Sequence, residues 1–233
     1  MSSAEFDEHA QSYDDLHRRN IALTGEEPAY FADYKMRDFR HLVDRAGLPA
    51  DGQYLDFGCG IGAAAAPFRA HLPDARLTGA DVSASSLELA RQSAGDASAY
   101  ALIDDADGRL PFDDGSFDGA FACCVFHHIA HERHVAVLCD IKRVLRPGGL
   151  LMVYEHNPLN PLTVRAVRTC PFDENARLIG AGRMAARVRE AGFSATERDF
   201  RVFFPSSLAA LRPAEDRLRW LPLGAQYFVA ARA

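Results

Sequence analysis

From residue 50 onward, short apolar runs alternate with stretches in which apolar residues recur at helical spacing. The runs at 53–57, 75–81, 98–103, 117–123 and 149–154 predict strands. Ala63 to His71 and Ala84 to Ala94 predict helices between them, with Ser83 placed to cap the second. His131 to Leu145 carries Val135, Leu138, Ile141 and Val144 on one helical face, and Pro147-Gly148-Gly149 ends it. A helix from Arg183 to Ala191 stops at Gly192, a residue type suited to the left-handed turn after a helix, and strands at 195–204 and 225–231 follow. Ahead of all these, Pro28 at a first helical position opens a helix that runs through Arg45. Strands separated by helices imply an α/β fold, a mostly parallel sheet covered on both faces.

The length of 233 residues suffices for one domain with a full core. A net charge of -6 argues against a nucleic-acid surface, so no nucleic-acid partner is expected. Five cysteines, with no CxxC pair, and no basic-then-apolar leader point to a reducing, cytoplasmic setting. No apolar run approaches the roughly 18 residues that suggest a membrane span.

The chemistry concentrates in Leu55-Asp56-Phe57-Gly58-Cys59-Gly60-Ile61-Gly62-Ala63, a strand running into closely spaced glycines and then a helix. Such a turn lets the backbone approach a nucleotide-like ligand. Two ligands fit it. Gly58, Gly60 and Ala63 satisfy the GxGxxG/A dinucleotide fingerprint, with Asp81 about 20 residues on as the ribose acid. An acid, one residue and then GxGxG is also motif I of the class I S-adenosylmethionine-dependent methyltransferases, which this stretch resembles. The dehydrogenase reading lacks a Tyr four residues before a Lys: Phe31 precedes Lys35 and Leu138 precedes Lys142 at that spacing. His127, His128, His131 and His134 fit no HExxH pattern, and no metal is expected.

The resemblance continues in order through the chain. Thr78-Gly79-Ala80-Asp81-Val82 ends the second strand where the family's ribose acid stands, so Asp81 and Val82 join Asp56, Gly58 and Gly60 in the implied cofactor set. Asp105-Ala106, followed by Leu110-Pro111-Phe112 and Ser116-Phe117-Asp118, matches the segment whose acid and next N–H meet the adenine. Phe121-Ala122-Cys123-Cys124-Val125-Phe126-His127-His128 aligns with the end of strand four, which places Cys123 and His128 at the methionine end. Phe6-Asp7 and Tyr13-Asp14 look like the opening of the ubiquinone/menaquinone type, in which the Tyr covers the donor methyl. Tyr13 is then a cofactor residue, and Lys35 a partner for the methionine carboxylate. The resemblance implies a Rossmann-like class I methyltransferase fold, with a seven-stranded sheet whose last strand is inserted antiparallel. It divides the single domain 1–233 into a helical lid (1–49), a cofactor core (50–154) and a substrate side (155–233).

The implied activity is methyl transfer from S-adenosylmethionine to oxygen, nitrogen or carbon of a small molecule, leaving S-adenosylhomocysteine. A non-methylating protein on the same scaffold is the other reading. Loops beyond the strand ends carry the catalytic candidates: His127 and His128 after strand four, and Glu155 and His156 after strand five, with His156 preferred as base. Glu155-His156-Asn157-Pro158-Leu159-Asn160-Pro161 resembles a stretch of a bacterial subgroup and, with Cys170 to Asn175, is expected to set specificity. The apolar residues of 205–223 predict either a helix packed on the sheet or a hydrophobic acceptor pocket with weak lipid contact. A monomer or homodimer is expected.

Overall fold

The computed structural model describes residues 21, 24–94, 98–104 and 109–233. The expected cofactor residues Tyr13, Asp105 and Ala106 lie outside this set. The elements run α1 (Pro28–Ala46), β1 (Gln53–Phe57), α2 (Ala65–His71), β2 (Arg76–Asp81), α3 (Ala84–Ala94), β3 (Ala99–Leu102), β4 (Phe117–Cys123), α4 (His134–Val144), β5 (Leu145–His156), α5 (Pro161–Thr169), α6 (Ala181–Glu190), β6 (Ser194–Arg201) and β7 (Gln226–Arg232). One sheet holds all seven strands in the order β3-β2-β1-β4-β5-β7-β6. The first five pair in parallel, and β7 lies antiparallel between β5 and β6.

Both faces of the sheet are buried, because alternate residues of each central strand feed different cores. In β5, Leu151 and Val153 pack with Leu138, Ile141 and Val144 of α4 and Met184 and Val188 of α6. Leu150, Met152 and Tyr154 pack on the other side with Met36, Phe39, Leu42 and Val43 of α1 and Phe68 of α2. That second core is aromatic at its centre, where Phe39 and Phe121 meet edge-on at 4.9 Å between ring centroids. Most of α1 therefore covers the sheet, and only its N-terminal turns reach the ligand cavity described below.

The local capping signals operate as read. Ser83 Oγ accepts the N–H of Ser86 at 3.0 Å, and Gly192 (φ +88°) follows α6 in the left-handed region. Three boundaries differ by three residues or more. α4 starts at His134, whose buried ring bonds the Ile129 carbonyl at 3.0 Å. It ends at Val144, ahead of Pro147, and the paired strand begins at Leu145, opposite Phe117 with a register shift before Gly119. β6 ends at Arg201, since Val202 turns to φ +61°.

The helix predicted to pack on the sheet within 205–223 is not observed. A 3₁₀ stretch, Ser206–Ala214, is kinked at Leu208 (φ -115°, ψ 22°) and followed by a single turn, Glu215–Leu218, and Leu208, Leu211 and Trp220 are exposed. Glu215 fastens this segment instead: its buried carboxylate accepts the Tyr34 hydroxyl at 2.7 Å and the N–H groups of Phe203 and Phe204 at 3.0 Å each. Among the described residues, no helix is long and apolar enough to cross a membrane.

Candidate active site

The strand order reverses between β1 and β4, where an open α/β sheet leaves a crevice at its carboxyl edge. A cavity of about 760 Å³ opens there, lined by the loops after β1, β2, β4 and β5 and by the start of α1. Gly58, Gly60 and Gly62 all have positive φ (72°, 50° and 80°), which explains the three glycines. A Cβ at Gly58 would lie 2.5 Å from Val125 Cγ2, so a side chain is also sterically barred. A Cβ at Gly60 would meet nothing within 4 Å, and this part of the loop lines the cavity.

Asp81 stands at the end of β2 with its carboxylate held by the loop. Oδ2 accepts the Gly60 N–H at 2.8 Å and Oδ1 the Ser83 N–H at 2.9 Å. A carboxylate has about four lone-pair positions, so both hydroxyls of a ribose can be accepted besides. Val82 lines the cavity next to it. Asp56 is buried at the cavity wall; burial, and then the nearby Asp81, push its carboxyl up to about 8.

Lys35 reaches the strand-four end rather than open solvent. Its Nζ lies 3.2 Å from Cys124 Sγ and 5.6 Å from the centre of the Tyr154 ring. Both Cys123 and Cys124 line the cavity, and Cys124 adopts φ +60°. Burial works against its ionisation, yet Lys35 and His156 bring the Cys124 thiol down to about 6. Cys124 escaped the sequence reading, where its only signal was adjacency to Cys123.

Beneath the acceptor end lies a buried chain of imidazoles and carboxylates. Glu155 Oε1 accepts the Phe126 N–H and Oε2 bonds His127 Nδ1, both at 2.7 Å. Asp173 Oδ1 lies 3.4 Å from His127 Nε2 and 3.4 Å from His128 Nε2. Burial alone would lower His127, but Glu155 and Asp173 raise it to about 10. Burial would likewise raise Glu155, and the His127 cation holds it at about 2. Burial and the neighbouring His127 push His128 down to about 3.

This cluster sets the surroundings of two of the expected catalytic residues. Glu155 is fully buried and does not itself line the cavity, and its two carboxylate oxygens are engaged by the Phe126 N–H and by His127. His128 lines the cavity, but its Nδ1 is buried and its Nε2 faces Asp173, which leaves it poorly placed to take a proton from a ligand. His156 also lines the cavity, with Nδ1 3.4 Å from Gln226 Nε2 and its ring 5.1 Å from that of His127. Asp173 and Gln226 join the site from distant parts of the chain.

Residues 55–153 match the family model described as a methyltransferase domain. The chain is 35% identical over 156 residues to the O-methyltransferase cnsE of Penicillium expansum, a match covering 62% of this chain and 53% of that one. The trans-aconitate 2-methyltransferase of an Azoarcus strain is 32% identical over 66% of this chain and 59% of its own. The matched region thus spans little more than half the length of these relatives. It spans more of the 27-O-demethylrifamycin SV methyltransferase of Amycolatopsis mediterranei: 30% identity over 201 residues, 80% of this chain and 71% of the relative. In fold, a methyltransferase from Thermotoga maritima superposes with a TM-score of 0.68 at 20% identity, covering 98% of each chain. The [4+2]-cyclase SpnF superposes at 0.63 and 20% identity, over 100% of this chain and 97% of that one. With the glycine loop, the clamped Asp81 and the 3-2-1-4-5-7-6 sheet in place, the chain belongs to the class I S-adenosylmethionine-dependent methyltransferases.

Proposed function

We propose that this protein transfers a methyl group from S-adenosylmethionine to a small-molecule acceptor, with a hydroxyl oxygen ahead of nitrogen or carbon. The observation that carries the reading is the Asp81 carboxylate, fixed by two backbone N–H groups at the mouth of a cavity that continues to His156. Gly58 and Gly60 supply the close backbone, and Asp56 and Lys35 border the space for the methionine part. Tyr13, Asp105 and Ala106 keep the lid and adenine roles that the resemblance implies. Bound there, S-adenosylmethionine supplies an electrophilic methyl group on a sulfonium.

The chain's own task is alignment, exclusion of water and removal of one proton. Alignment of this kind contributes on the order of 7–11 kcal/mol in the best models. His156 is the proton acceptor open to the cavity, and Gln226 beside its Nδ1 orients the ring. A hydroxyl acceptor has a proton that must leave, which is what an imidazole at this place serves. The relatives named as O-methyltransferases point the same way. Tyr30, Phe31, Leu162, Val167, Phe203 and Phe204 line the outer cavity and favour an acceptor with a substantial apolar body. Five cysteines with no CxxC pair support a cytoplasmic setting.

Calorimetric titration with S-adenosylhomocysteine and with nicotinamide dinucleotides tests the cofactor. The thioether ligand is expected to bind and Asp81→Ala to lose at least tenfold in affinity; binding of a dinucleotide alone overturns the reading. Mass analysis of acceptor mixtures should then show a product heavier by one methyl group together with S-adenosylhomocysteine. Conversion of an acceptor without either change identifies a non-methylating enzyme.

A further inference from the structure

We infer that His127, His128 and Asp173 form a binding site for one divalent transition-metal ion, with Glu155 as the outer carboxylate that orients His127. Two ring nitrogens and a carboxylate oxygen converge, and the ligand atoms of the three residues all lie within 4.8 Å of one another. Both Nε2 to Oδ1 separations are 3.4 Å. Ligands about 2.1 Å from a tetrahedral ion are separated by about 3.4 Å, so both edges fit such a polyhedron. A charge-assisted hydrogen bond would instead close to about 2.7–2.9 Å. The contact of His127 Nδ1 with Glu155 does so, at 2.7 Å.

The hydrogen bonding favours a cation as well. Glu155 takes the proton on His127 Nδ1, the arrangement by which an outer carboxylate directs the other ring nitrogen at a metal. His127 Nε2 then points at Asp173 Oδ1, a buried oxygen with no hydrogen-bond partner. A proton can bridge one such pair, whereas a cation can serve all three atoms. Glu155 and Asp173 bring two carboxylates into a nearly water-free place; a dication balances both, and its binding releases the Nε2 proton of His127, which leaves the imidazoles in their neutral ligand form. Two imidazoles and one carboxylate select an ion of the zinc, cobalt or iron(II) kind over magnesium.

All three residues line the ligand cavity, so positions not taken by protein face the acceptor side. On the methyl-transfer reading above, the ion polarises the acceptor hydroxyl and lowers the barrier to its deprotonation by His156. The donor set was invisible along the chain because Asp173 belongs to the 3₁₀ turn Pro171–Asp173, remote from His127-His128.

The test is titration of tag-free, chelator-treated full-length protein with Co²⁺, followed by visible absorption and by competition with Zn²⁺. One Co²⁺ per chain, with ligand-field bands, is expected. His128→Gln and Asp173→Asn should each weaken uptake at least tenfold, and Glu155→Gln by about 10-fold or more. His131→Gln, outside the cluster of His127, His128 and Asp173, should leave it unchanged. Circular dichroism identifies any variant that fails to fold, and His128→Gln carries the test if Asp173→Asn does. No stoichiometric uptake, or uptake insensitive to His128 and Asp173, means an adventitious ion only and overturns the site. S-adenosylhomocysteine titration of the same metal-free protein keeps the two readings apart. If the thioether binds and Co²⁺ does not, the site alone falls; if Co²⁺ binds and the thioether does not, the methyl-transfer reading falls.

Discussion

At the scale of single residues, the site depends on groups whose neighbours change their chemistry. Asp56 is the clearest case, since burial first and Asp81 second raise it to about 8 against about 3.9 for an unfolded aspartate. Folding therefore favours its neutral form: its contribution to stability is full below about pH 4 and is lost as pH rises through 8. The melting midpoint of the unliganded protein is expected to lose this contribution as pH rises from about 4 to about 8, and Asp56→Asn should make the slope in that window shallower by up to one proton. An unchanged slope would assign the titration to another group. For His156, replacement by Ala should lower kcat by about 10²- to 10⁴-fold while S-adenosylhomocysteine still binds. A variant with undiminished turnover would remove it as base. The glycine loop and Asp81 were readable as linear motifs because a strand end, a turn and a helix start are consecutive. Glu155 was not: an acid beside a His at a strand end looks the same from the sequence whether it faces a ligand or, as here, hydrogen-bonds the Phe126 N–H and His127 beneath the cavity.

At the scale of elements, periodicity located the strands of the core to within a few residues, because their apolar runs are bounded by turn residues. α5 was missed. Its apolar residues, Leu162, Val164, Ala166 and Val167, lie within nine residues, too short a stretch to establish a helical period, and the bonds before Pro158 and Pro161 favour extended backbone just ahead of it. The helix exists because Asn160 caps it: Oδ1 accepts the N–H groups of Leu162 and Thr163 at 3.0 and 3.1 Å, while Nδ2 donates to the Leu223 carbonyl at 2.8 Å. Asn160→Ala is expected to cost about 0.5–2 kcal/mol, readable by denaturant titration. Because Leu162, Thr163 and Val167 line the cavity, it should also raise the acceptor KM more than it lowers kcat. The segment 205–223 fails as a helix on the sheet for a comparable reason, since it is held by the polar contacts of Glu215 and its leucines stay outside.

At the scale of the whole molecule, two cores bury the opposite faces of the one sheet whose edge carries the crevice. Phe121 lies at the centre of the aromatic core, fully buried against Phe39 and Phe68. Phe121→Ala should destabilise the protein by about 3–5 kcal/mol. For a chain of this size that lowers the melting midpoint by roughly 6–20 °C. A loss below 1 kcal/mol would mean that the aromatic core relaxes around the void. Across the molecule, buried Asp38 of α1 pairs with Arg201 of β6 at 3.0 Å, which ties the cavity-bordering helix to the far edge of the sheet.

What the sequence by itself determined is what lies close along the chain: the strand and helix order, the caps at Ser83 and Gly192, the glycine turn after β1 and the acid after β2. Each is a local pattern, set by side-chain period, by φ or by a hydrogen bond spanning a few residues. Only the tertiary structure decided which distant groups meet. It brought Asp173 to His127 and His128, Gln226 to His156 and Cys124 to Lys35, and it enclosed Glu155. Those contacts arise from the crossing of loops at one sheet edge, a long-range packing outcome that no spacing along the chain encodes.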